Sequence, residues 1–326
     1  MTSARRSTRH RASQRGTVML VALLVVTLVV TLAARMLFQQ YRATQVATAE
    51  RQSSQARWVL DGALEWSMLI LREDARQNAA VDHLGEPWAV PLEESRLSTF
   101  LSADQGASDA GPEAFLSGRI MDAQSRFNLY TLAGPGGEIK PVSQAALQRL
   151  CVMLGLPAQL AEQLAQQVSA AKGPADAATQ GAARPFMPPA ASDRAQTETA
   201  LRWLGLPPDL ASRLSPHVTF FPGETTVNAN TASREVLAAL IEGGDLSMGD
   251  RLVQARQRKA FQSIADIQEV VGKDKAVNGS LVGVSSQHFE VHGRLRIDNT
   301  VIEQHALVER VGMAVQWLES HTVRLP

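Results

Sequence analysis

His288, Glu290 and His292 occupy alternate positions of one short segment. Two imidazoles and a carboxylate on one face of a strand form a donor set that zinc accepts. The same alternation puts Phe289 and Val291 on the opposite face, so the ordinary reading is a strand with its polar side in water, and no metal is expected. A second constellation spans residues 228–272, where Asn228, Asn230, Thr231, Ala232 and Leu237 stand as in half of a helix-hairpin-helix unit. Such units grip phosphate through backbone N–H groups of a Gly-hydrophobic-Gly hairpin at a helix N-terminus. Here the hairpin reads Glu242-Gly-Gly-Asp-Leu-Ser-Met-Gly249, followed by Asp250, and the second hairpin position reads Gly272-Lys-Asp. Neither supplies the cradle and the carboxylates repel phosphate, so a structural use is expected, without nucleic acid. Cys151 is the single cysteine and lies in the apolar stripe Leu147, Leu150, Leu154, which makes it a small buried hydrophobe and excludes an intramolecular disulfide. Glu93 and Glu94 sit in a Pro-bounded loop and are read as solvated. No Gly-x-Ser-x-Gly elbow, phosphate loop, dinucleotide fingerprint or paired-His helix occurs, so the chain is not expected to be an enzyme.

One place does prescribe a reaction. Arg15-Gly16 precedes residues 17–34, an uncharged apolar run that spans roughly 27 Å as a helix, about the hydrocarbon thickness of a bilayer. The leader carries Arg5, Arg6, Arg9, Arg11 and Arg15, and the first carboxylate of the chain is Glu50. The positive-inside rule puts the N-terminus in the cytoplasm and the bulk of the chain across the membrane. A small-x-small signal-peptidase site after the apolar run is only loosely offered, and the expected cut lies before it, between Gly16 and Thr17. Without the five leader arginines, 27 basic residues face 32 acidic ones, which argues against generic binding to nucleic acid or anionic lipid.

The elements that must carry these residues follow from periodicity. Val59, Ala63, Trp66 and Ile70, with Leu60, Leu64, Ser67 and Leu71 beside them, predict that the helix runs on from Thr17 to about Ala75, roughly 90 Å, with this face on a soluble domain. Trp88 is expected to anchor in the core. Residues 115–121 read as a strand, 122–125 as a turn and 127–132 as extended; Ser143 is the expected N-cap of a helix over 144–154. Residues 150–164 and 201–214 repeat one pattern, helix, Gly-Leu-Pro turn, helix, on either side of an Ala-, Pro- and Gly-rich stretch. Further helices follow Asn228, with Thr231 and Ser263 as N-caps, and residues 288–298 and 301–311 read as a hairpin.

The basic leader ending in Gly and the long N-terminal helix make the chain resemble type IV pilin-like proteins. GRIMDAQSRFNLYTL, in which Asp122, Phe127, Asn128 and Leu129 match, and SRLSPHVTFFPGETTVNANTASREVLAAL, with Asn228, Asn230 and Thr231, are similar to one class. That class is the K-type minor pseudopilin of type II secretion systems, and the resemblance runs from the leader to the C-terminus. The usual Glu at the fifth mature position is Val21 here, as in that class. The resemblance implies an α+β fold: a type IV pilin-like long N-terminal helix, a small antiparallel sheet and a large inserted all-α domain. The expected division is a leader at 1–16, a transmembrane half-helix at 17–34 and its periplasmic half at 35–76. A discontinuous pilin-like unit takes 77–142 and 285–326, and the inserted helical domain takes 143–284, with the helix-hairpin-helix-like module at 228–272. It implies a non-catalytic subunit in the inner membrane that caps or initiates a periplasmic pseudopilus. The partners it implies are other minor pseudopilins, the prepilin peptidase and the inner-membrane assembly platform. Leu37, Tyr41 and Val46, together with Val21, are the expected partner contacts. Calcium is possible by resemblance, but where the family carries acidic ligands this chain reads Gln166-Gln-Val-Ser-Ala-Ala-Lys172, with only Asp176 beyond. A DNA-uptake protein using the 228–272 module is the alternative, and an anchored enzyme without a recognisable motif a third.

Overall fold

The computed structural model describes residues 13–78, 80–97, 113–173, 187–191, 193–297 and 300–325, and divides into two compact units, 1–58 and 59–326. The first unit is the N-terminal part of helix α1 (Ser13–Asn78). No glycine occurs between Gly16 and Gly62 and no proline before Pro87, so nothing interrupts the helix, which starts four residues before Thr17. Its large apolar side chains from Val18 to Phe38 are exposed, and the hydroxyls of Thr27 and Thr31 turn back onto the carbonyls of Leu24 and Leu28 at 2.9 and 2.8 Å. It is the one helix among the described residues that is long and apolar enough to cross a membrane.

In the second unit the end of α1 buries Leu60, Leu64, Met68, Leu71 and Ala75. The stripe Val59, Ala63, Trp66 and Ile70 therefore flanks the contact, and Trp66 is half exposed, because the bulkier Leu and Met positions fill the groove better. They pack on an antiparallel sheet of order β1-β2-β7-β8-β9, made of β1 (Leu92–Arg96), β2 (Ala114–Asp122), β7 (His288–Ile297), β8 (Thr300–Val311) and β9 (Ala314–Leu325). Ile120, Phe289, Val291, Ala306, Val308 and Val315 meet α1. Trp88 is buried edge-on to Phe289, with ring centroids 5.2 Å apart, and its Nε1 donates to Glu86 Oε2 at 2.7 Å. The hairpin β7–β8 was legible in the alternation. Strand β9 was not: it turns at Gly312, where φ is +60°, and its register slips by a bulge between Leu307 and Val308, which blurs the period.

Between β2 and β7 lies the helical domain, with α2 (Pro141–Met153), α3 (Gln159–Lys172), α4 (Arg194–Trp203), α5 (Pro208–Leu214), α6 (Arg234–Leu240), α7 (Leu246–Arg258) and α8 (Ile264–Val271). Two-residue strands pair in parallel, β3 (Phe127–Asn128) with β4 (Val218–Thr219) and β5 (Val227–Asn228) with β6 (Val282–Gly283). The Gly-Leu-Pro repeat ends α2 and α4 alike. Gly155 and Gly205 take positive φ, and the N–H groups of Leu156 and Leu206 reach back to the carbonyls of Cys151 and Leu201. Cys151 is buried, and burial pushes its thiol up to about 11. Three local expectations are corrected. Ser143 lies inside α2, which opens at Pro141 because proline suits the first helical position. Ser233, not Thr231, caps α6. Leu129–Leu132 is a 3-10 turn and not extended, because Asn128 Oδ1 accepts from the Tyr130 N–H. Ser263 caps α8 as expected, in a capping box with Asp266.

Candidate functional site

The family-like residues converge on a polar seam where the end of β2, the β5 region and α1 meet. Asp122 is buried at the end of β2. Its Oδ1 accepts from the Gln124 N–H at 2.8 Å, and its Oδ2 accepts from Asn228 Nδ2 (3.0 Å), Thr231 Oγ1 (2.5 Å) and Ser286 Oγ (2.6 Å). Burial pushes its pKa up to about 6 against these bonds. Asn228 also donates to the Asp82 carbonyl, and Asn230 exchanges two bonds with the backbone of Phe261. Asn128 Nδ2 holds the carbonyls of Phe221 and Gly223, and Phe127 is a core side chain. Every one of these side chains is a pin inside the fold.

Sequence reasoning missed the other half of the seam. Arg310 lies buried on the α1-facing side of β8, with Nη1 2.8 Å from Asp74 Oδ2 and Nη2 paired with Asp82. Burial raises the pKa of both carboxylates, against the opposing pull of Arg310. The signal was present: Ala306, Val308 and Arg310 share one phase of a strand, and an arginine in an apolar phase requires buried carboxylates.

The opposite sheet face corrects a further expectation. His288 and Glu290 are buried rather than solvated, and His292 is largely so. Phe221 stacks on His288 with ring centroids 4.4 Å apart, and Arg126 pairs with Glu290, so the helical domain covers this polar face. His292, His305 and His321 are direct cross-strand neighbours on β7, β8 and β9. Asp193, the residue that caps α4, points its Oδ2 at the last two, 3.1 Å from His305 Nδ1 and 3.1 Å from His321 Nε2. Burial works against the Asp193 charge, but the two imidazoles and the cap bond outweigh it and hold the carboxyl well below its usual range. His305 is raised, chiefly by Asp193, whereas burial pushes His292 down to about 3. A Glu-x-His triplet at 290–292, 303–305 and 319–321 was the available sequence signal.

At the helix-hairpin-helix-like module, Asp245 caps α7 and accepts from the Met248 N–H at 2.8 Å. The chain's own carboxylate thus sits where a phosphate would dock. Arg256 donates inward to the carbonyls of Ala229 and Ala232. The calcium segment ends in Lys172, whose ammonium donates to the carbonyls of Tyr130 and Ala133 and lies 3.6 Å over the Tyr130 ring. An ammonium among carbonyls does not fit a calcium site. Asp176 lies outside the described residues.

On the first unit Val21, Leu37, Tyr41 and Val46 are exposed by 62, 66, 65 and 50%. Gly16 and Thr17 lie within α1.

A membrane-length apolar helix, an antiparallel sheet and a helical domain together define a pseudopilin-class fold. The solved GspK-GspI-GspJ complex from the type 2 secretion system of enterotoxigenic Escherichia coli contains a similar chain, at a TM-score of 0.63 and 19% identity over 85% of this chain and 99% of that one. The family description "Type II secretion system (T2SS), protein K" matches residues 125–223 and 227–285. Type II secretion system protein K of Pseudomonas aeruginosa is 31% identical over 297 residues, 86% of this chain and 84% of that protein. The protein of the same name from Pectobacterium carotovorum is 27% identical over 94% of this chain and 95% of its own length. The chain belongs to the type II secretion system protein K family.

Proposed function

We propose that this subunit is a non-catalytic minor pseudopilin that caps or initiates the periplasmic pseudopilus during export of folded proteins. Residues 17–34 span the inner membrane, the N-terminus is cytoplasmic and the bulk of the chain is periplasmic. The exposed apolar run of α1 carries this reading. Unpaired apolar surface over that length is stable only in lipid or against other helices, and five arginines precede the span whereas only Arg35 and Arg42 closely follow it. Family membership supports it. The solved relative is named in a complex with GspI and GspJ, and the corresponding minor pseudopilins are the proposed neighbours, meeting α1 at Val21, Leu37, Tyr41 and Val46. The helical domain, inserted at 143–284 between 77–142 and 285–326, adds the bulk that would obstruct a further subunit above. Assembly on the inner-membrane platform follows removal of residues 1–16 by the prepilin peptidase. Mass spectrometry of the membrane-extracted protein should find Thr17 first, and Gly16→Leu should retain the leader. A mature N-terminus near Arg35 would replace this reading with cleavage of an ordinary signal peptide.

A further inference from the structure

We propose that Asp193, His305 and His321 form a zinc(II) site that ties the start of α4 to strands β8 and β9. The three donor atoms come from three elements and lie within 4.8 Å of one another. Asp193 Oδ2 is 3.1 Å from each imidazole nitrogen. Tetrahedral zinc, with bonds of about 2.0–2.1 Å, sets its ligands about 3.3 Å apart, close to the two Asp193–imidazole distances, so the ion fits with small adjustments of the two rings and water as the fourth ligand.

Each ligand is already oriented from behind. Asp193 Oδ1 is held by the Gln196 N–H at 2.8 Å, which leaves Oδ2 to the site. His305 Nε2 faces Glu303 Oε2 at 3.5 Å, the carboxylate–histidine arrangement that turns the other nitrogen's lone pair to a metal. His321 Nδ1 is 2.9 Å from Gln196 Nε2, which also donates to Glu319 Oε1 at 3.2 Å, so the amide fixes the ring with Nε2 toward Asp193. His305 Nδ1, at hydrogen-bonding distance from Asp193, is buried without an aligned hydrogen bond, as is His292 Nε2 on the next strand. A buried ring nitrogen left without an aligned partner beside a carboxylate is one that a bound ion would satisfy. Two imidazoles and one carboxylate suit zinc and are poor ligands for calcium.

The test uses the full-length protein in detergent, stripped with a chelator and titrated with zinc(II) alone, then with cobalt(II) as a spectroscopic probe. One zinc per chain is expected, with the intense visible bands of tetrahedral cobalt, a higher Tm in excess zinc and no competition from calcium(II). Asp193→Asn preserves the helix cap and removes the ligand oxygen, so it should fold and bind zinc at least about tenfold more weakly, as should His321→Gln. Absence of stoichiometric uptake by the wild type, or equal uptake by a folded Asp193→Asn, would overturn the site. So would cobalt bands of octahedral type.

Discussion

Asp122 shows how one carboxylate can organise three segments: four donors meet on it, from residues 124, 228, 231 and 286. Its pKa, raised to about 6 by burial, means that the native state holds the proton more tightly than the unfolded chain does. Its contribution to stability is therefore greatest below about pH 4 and declines as pH rises through 6, by about 3 kcal/mol in all. Asp122→Asn removes that dependence. Urea melts at pH 4 and pH 7 should show the wild type losing about this much stability relative to the variant. Thr231 illustrates the limit of local rules. Thr231 and Ser233 are both acceptable N-caps by type, and only the approach of Asp122 draws the Thr231 hydroxyl away.

At the scale of elements, α1 carries the functional argument. Its apolar character and approximate length are local properties and were legible from the residues, as were the paired helices closed by Gly-Leu-Pro. A charge placed where this helix packs on a neighbour leaves a buried ion that costs several kcal/mol. Leu37→Asp should therefore abolish export of a secreted substrate in complemented cells while circular dichroism of the purified protein stays unchanged. Val21→Glu should be comparatively harmless, because its carboxyl can stay protonated or meet a neighbouring amine. Normal export with Leu37→Asp would show that α1 is only a tether. Strand β9 escaped prediction because a bulge breaks the alternation by which strands are recognised.

For the molecule as a whole, Arg310 joins the end of α1, the loop at Asp82 and the sheet. Arg310→Met strands two carboxylates in the interior and should lower stability by about 3–5 kcal/mol at pH 7. Adding Asp74→Asn and Asp82→Asn should restore much of it, as thermal melts of the single and triple variants would show.

The residues alone determined the long apolar helix, the helix pairs and the central hairpin, since each depends on composition or on bonds between near neighbours. Tertiary structure decided the fate of the polar sheet face. Alternation distinguishes the two faces of β7 and says nothing of whether the polar one meets water or protein. Phe221 and Arg126, distant in sequence, cover it and bury His288 and Glu290, while Asp193 reaches over the row His292, His305, His321 and leaves it partly buried. The same holds for Asp122 and Arg310, whose partners lie 106 and 236 residues away in Asn228 and Asp74. Burial of a charge is a property of what packs against it, and only the assembled fold supplies that.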